Sequence, residues 1–107
     1  MESLGEDPRA AITAAFDDDG SPVVHLAGEL DMLTVPEIEA ELASLIADAS
    51  PPVTFDVSEL EFMDSSGIAM LLRAVDKTGP VSIRTPSRTV RQVIRATGLQ
   101  DMLRIEA

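Results

Sequence analysis

Asp64-Ser65-Ser66-Gly67, a hydroxyl pair between an acid and a glycine, is the segment of this chain best suited to chemistry. It follows Glu59-Leu60-Glu61-Phe62-Met63, where Phe62 is expected in the core and Met63 partly exposed, and leads at once into the apolar run Ile68-Ala69-Met70-Leu71-Leu72. That order predicts a short strand-to-helix loop with a serine exposed at the mouth of a helix. Ser65 or Ser66 fits the cap position, where a hydroxyl accepts from orphan backbone N–H groups. The same N–H groups and the helix dipole tolerate an anion. A phosphate placed there would add roughly 1.5 to 2 negative charges without touching a core side chain. Gly67 leaves room for close approach by the sheet or by a partner. Two readings follow from the residues alone: a plain helix cap, or a binding module switched by serine phosphorylation.

The elements that must hold this loop are legible from periodicity. Residues 1–9 read as a flexible tail, and Ala10–Phe16 as a weak strand, since alanine is a poor strand former. Asp17-Asp18-Asp19-Gly20 is a hairpin signal, and Val23–Leu30 is the returning strand, so the pair should be antiparallel. Thr34, with Glu37 three residues on and Pro36 between, predicts a capping box opening a helix with an apolar stripe of Val35, Ile38, Leu42, Leu45 and Ile46. Pro51-Pro52 stops it. Val53–Val57 is a short buried strand, with Asp56 near its end.

The second helix carries Ile68, Leu71, Leu72 and Val75, and Gly79-Pro80 ends it. Val81-Ser82-Ile83 is a strand. Thr85-Pro86 starts a third helix with Val90, Val93 and Ile94 inward and Gly98 as its C-terminal cap, and Met102–Ile105 adds a last short strand. The order β-β-α-β-α-β-α-β predicts a single α/β domain over residues 10–107. Its sheet should have four to five mostly parallel strands with an antiparallel N-terminal hairpin edge. In such a sheet, partners meet the carboxyl ends of the strands, where Glu29, Asp31, Asp56 and Asp64 are expected to gather around the serines.

Composition narrows the function classes. The 107 residues include no cysteine and one histidine, which removes thiol chemistry and leaves little for a metal site. Three phenylalanines and no tyrosine or tryptophan give no platform for base stacking. The net charge of −11 splits into −15 over residues 1–72 and +4 over residues 73–107. Such a balance disfavours nucleic acid and anionic lipid and favours a partner with a basic docking surface. Without an apolar leader or a run of ~20 apolar residues, a cytoplasmic, membrane-free protein is expected. Arg88, Arg91 and Arg95 read as a solvated helix face, and the Asp17–Asp19 turn lacks the spaced ligands of a calcium loop.

Gly28-Glu29-Leu30-Asp31 after a hairpin, Phe55-Asp56-Val57-Ser58-Glu59-Leu60, and Phe62-Met63-Asp64-Ser65-Ser66-Gly67-Ile68 together resemble the anti-sigma factor antagonists of the STAS-domain family. The likeness continues through Pro86-Ser87-Arg88-Thr89-Val90 to Thr97-Gly98-Leu99. It implies that the unphosphorylated protein binds an anti-sigma factor serine kinase and frees a sigma factor. Phosphorylation at Ser65 then abolishes binding, and a PP2C-type, metal-dependent phosphatase restores it. Asp31, Met63, Asp64, Ser66 and Gly67 are the implied partner-binding residues. The resemblance implies no enzyme activity and no cofactor of the chain's own, since the kinase supplies ATP and magnesium; the free state is expected to be a monomer or a weak dimer. Two rivals stand beside it: a phosphoaspartate receiver built on Asp56, and a STAS subunit of a transporter or other complex that has no phosphorylation switch.

Overall fold

The structure, a computed structural model, describes residues 9–49 and 51–106. The tail expected over residues 1–9 therefore lies outside the described residues except for Arg9. That residue is anchored: its carbonyl accepts from the Glu29 N–H at 2.8 Å.

Five strands form one sheet in the order β1-β2-β3-β4-β5: β1 (Ala10–Phe16), β2 (Pro22–Leu30), β3 (Thr54–Met63), β4 (Val81–Arg84) and β5 (Leu103–Ile105). β1 and β2 are antiparallel, and every other neighbouring pair is parallel. The crossovers are α1 (Val35–Ile46), α2 (Ser65–Thr78) and α3 (Arg88–Ala96). The expected element order and mixed sheet are those observed.

One core joins the inward faces of the helices to alternate strand residues, with Leu26, Leu30, Phe55, Leu60, Met63, Met70, Leu71, Ile83 and Ile94 among its fully enclosed side chains. In α1, Val35, Ile38, Leu42 and Ile46 are buried, whereas Leu45 is exposed and stands outside the stripe expected of it. α3 begins later than Thr85-Pro86: Ser87 is its cap, its hydroxyl accepting from the Val90 N–H at 3.1 Å.

The opposite face of the sheet is held by charge. Strand alternation puts His25, Asp56 and Arg84 there, since Val24, Leu26, Phe55, Val57 and Ile83 all point into the core. Arg84 bonds both Asp17 (3.0 Å), in the first hairpin turn, and Glu106 (2.9 Å), just after β5. These hydrogen bonds raise its pKa further above the usual arginine range.

β3 is the main departure from expectation. It runs ten residues, to Met63, and Ser58–Met63 is strand rather than loop. Its ladder with β2 shifts register twice, between His25 and Ala27 and again between Gly28 and Glu29. Each shift breaks the period of two, so a pattern match stops at Val57.

Candidate functional site

β2 and β3 end side by side. Leu30 pairs with Met63, and the Asp64 N–H donates to the Leu30 carbonyl at 3.1 Å. The chain after each strand, Asp31 in one case and Asp64 in the other, thus leaves the sheet at the same carboxyl edge.

Gly67 seats α2 against that edge. A Cβ on it would come to 2.4 Å from Met63 Cγ and 3.1 Å from Leu30 Cβ, so only a hydrogen fits. The close approach seen at Gly67 is that of the sheet. Gly28 performs a similar service on the other side. Its φ is +89°, and a Cβ there would fall on the Arg9 carbonyl. Glycine tolerates this conformation without the steric penalty other residues meet.

The helix cap is Asp64, not Ser65 or Ser66. Its carboxylate accepts from the Ser66 N–H at 2.8 Å, and its carbonyl accepts from Gly67 and Ile68. Ser65 is the first residue of α2 and is exposed, while Ser66 is half-buried. With the capping role taken by Asp64, the Ser65 hydroxyl makes no hydrogen bond to any described residue.

Asp31 is likewise a turn-builder. One of its carboxylate oxygens accepts from the N–H groups of Leu33 (2.9 Å) and Thr34 (3.1 Å); the other lies 3.5 Å from the Arg9 guanidinium, which also approaches Glu29 at 3.9 Å. Thr34 does not form the expected cap. Its backbone is already helical and its hydroxyl donates to the Glu29 carbonyl at 2.7 Å, leaving the acid upstream to hold the turn.

Three expectations on side-chain placement are corrected. Met63, expected to be partly exposed, is buried, and Phe62, expected in the core, is 43% exposed. The second register shift in β3 exchanges their faces. Asp56 does not end β3. It is the strand's third residue, paired with His25 and Arg84 on the outer face, with its carboxylate 3.4 Å from His25 Nδ1 and accepting from the Ser58 N–H at 3.0 Å. Burial resists its ionisation, but the Ser58 hydrogen bonds and the neighbouring His25 and Arg84 outweigh that and hold it below the usual carboxylate range.

Met32 and Leu33, 73% and 69% exposed, were missed in the sequence. They sit between Asp31 and Thr34, outside the stripe of α1. Two large apolar residues in a turn, off the period of the following helix, are the signal that could have found them. With Phe62 they give the acidic edge an apolar component. Among the described residues no cluster of three or more histidines and acids could hold a metal, and no helix is long and apolar enough to cross a membrane.

A family model described as "Mlab, STAS domain" matches residues 14–104, and the chain belongs to the STAS-domain family. It is 34% identical over 82 residues to an anti-sigma F factor antagonist of Lysinibacillus sphaericus, covering 72% of this chain and 70% of the relative. Its backbone is similar to the crystal structure of an anti-sigma factor antagonist from Mycobacterium paratuberculosis (TM-score 0.79, 30% identity, 94% of this chain and 88% of the other). It is also similar to the anti-sigma factor antagonist SpoIIAA in its unphosphorylated form (TM-score 0.69, 27% identity, 91% and 89% covered). The Bacillus cell fate determinant SpoIIAA in its phosphorylated form matches with a TM-score of 0.65, at 27% identity and with 91% and 92% covered.

Proposed function

We propose that this protein is an anti-sigma factor antagonist whose docking is switched by a phosphate on Ser65. The observation that carries the reading is the unbonded, exposed Ser65 hydroxyl at the first position of α2. Because Asp64 already caps the helix, esterifying Ser65 removes no cap and need not unfold the domain.

In this reading the unphosphorylated edge docks on an anti-sigma factor that is also a serine kinase, releasing the sigma factor. Met32, Leu33 and Phe62 supply apolar contact. Asp31, Asp64 and Ser66 form the polar rim, complementary to a basic partner surface. Met63 and Gly67 act from beneath, by fixing the height and angle of α2. Similarity to SpoIIAA, solved with and without phosphate, supports a scaffold that survives the modification.

Against an otherwise basic partner surface, the added charge weakens docking only where a partner carboxylate lies opposite Ser65, and there it is large enough for the switch. A phosphate about 6 Å from one partner carboxylate costs roughly 1 to 5 kcal/mol across effective dielectrics from water to a protein surface. That is about fivefold to a few thousandfold in affinity. A PP2C-type phosphatase would reset the site.

The test is intact-mass analysis after incubation with candidate anti-sigma kinases and ATP, with site mapping, followed by titration of both forms against the kinase. Ser65→Ala should bind and resist labelling, and Ser65→Asp should bind more weakly. Equal binding of the phosphorylated and unphosphorylated forms would sink the proposal.

A further inference from the structure

The free edge of β1 carries a second surface, separate from the Ser65 edge. The Glu29 N–H to Arg9 carbonyl and Asp17 N–H to Ser21 carbonyl bonds fix which pairs of the hairpin are hydrogen-bonded, because the register between them runs unbroken. Ala11, Thr13 and Ala15 therefore turn their backbone groups toward β2. Ala10, Ile12, Ala14 and Phe16 turn theirs away from it, to the outer edge of the sheet. No hydrogen bond across that edge engages them among the described residues.

Natural sheets blunt such edges with charge, proline or a bulge. β1 has none of these: its sequence is Ala-Ala-Ile-Thr-Ala-Ala-Phe, paired in continuous register. Its core-side residues are also only partly roofed. Ala10 and Ile12 are buried, whereas Ala14 is exposed and Phe16 is 74% exposed. Beside the roofed half runs a groove of about 170 Å³ between the strand and α1, lined by Ala10, Ala11, Ile12 and Thr13 below and by Thr34, Glu37, Ile38 and Glu41 above. Glu37 and Glu41 stand one helical turn apart, so the upper lip is acidic.

From the open backbone, the groove and its acidic lip, we propose that β1 accepts an extended segment of a partner protein as a sixth strand. The segment would carry lysine or arginine on the side facing α1 and small or apolar residues on the other. Main-chain bonds to Ala10, Ile12, Ala14 and Phe16 give the pairing, and the carboxylates of Glu37 and Glu41 select the cations. A second copy of this chain is the poorer occupant, because each copy brings a net charge of −11 and its own acidic lip.

The test uses the full chain, isotope-labelled for amide NMR, and a capped heptapeptide probe, Val-Lys-Val-Lys-Val-Lys-Val. The expected result is shifts concentrated at the amides of residues 10, 12, 14 and 16. N-methylating one alternate set of probe amides should abolish binding while methylating the other set spares it, since only one set faces β1. Glu37→Gln with Glu41→Gln should weaken binding about tenfold. Ser65→Ala should leave the titration unchanged, which separates this surface from the phosphorylation site. Shifts scattered over the acidic surface, indifference to which amides are methylated, or self-association of the chain through β1 in sedimentation would overturn the proposal.

Discussion

Two helices in this molecule begin beside a serine hydroxyl, and the two hydroxyls have opposite fates. At α3 the Ser87 hydroxyl is itself the cap, accepting from the Val90 N–H at 3.1 Å. At α2 the cap is the carboxylate of Asp64, and Ser65, one residue later, is exposed, its hydroxyl unbonded among the described residues. A hydroxyl that caps is committed to the fold, and losing it destabilises the helix. A hydroxyl one place beyond an acidic cap is structurally idle, so it can be modified without weakening the element it sits on. The composition of the two starts, Asp-Ser-Ser against Pro-Ser-Arg, carries that difference.

The comparison breaks most sharply on phosphate transfer. Under the proposed switch, Ser65→Ala should abolish labelling by an anti-sigma factor kinase, while Ser87→Ala leaves it intact; site mapping by mass spectrometry checks both. Next in size is Gly67→Val, which drives a branched side chain into Met63 and Leu30. It should cost roughly 1 to 3 kcal/mol in urea unfolding and misplace Ser65 as well. The caps themselves follow. Asp64→Ala and Ser87→Ala should each lose about 1 kcal/mol, whereas Ser65→Ala stays within about 0.5 kcal/mol of the parent.

Acid gives the smallest of these effects. The hydrogen bond from Arg73 holds Glu39 below its usual 4.5, and Asp56 lies below its usual 3.8 despite the burial that opposes it. Both pKa values are depressed in the folded state. Their stabilising contribution is therefore complete above those usual values and is lost as pH falls through the folded ones. The urea midpoint should drop between pH 6 and pH 3, and Glu39→Gln should flatten part of that drop. At neutral pH the Glu39–Arg73 pair, bonded at 2.6 Å but half exposed on Arg73, contributes little, because solvent screens it.

The order of elements was legible because each helix shows its stripe and each strand is bounded by Gly, Pro or Asp turns. What escaped was local. β3 carries two register shifts, and neither leaves a mark in a chain read by simple alternation; Phe62 and Met63 were exchanged for that reason. The capping residues were misread because Ser and Thr are as suitable as Asp by type. Only the geometry shows that Asp64 and Asp31 hold the turns while Thr34 is drawn to the Glu29 carbonyl. Met32 and Leu33 escaped because they lie in the turn ahead of α1, where helical periodicity says nothing of exposure. Asp56 looked like the end of a strand because the strand was cut short. Its place beside His25 and Arg84 on the outer face leaves the phosphoaspartate reading without the edge position it requires.

Gly28 reaches further than its own turn. Because it has no side chain, the first strand begins in contact with the end of the second, and the guanidinium of Arg9 is delivered to Asp31 and Glu29. The electrostatic potential that an approaching protein meets beside Ser65 is thus partly set by a residue with no charge and no exposed functional group. An alanine at position 28 would be felt as a more negative doorway, with every acid in the sequence unchanged.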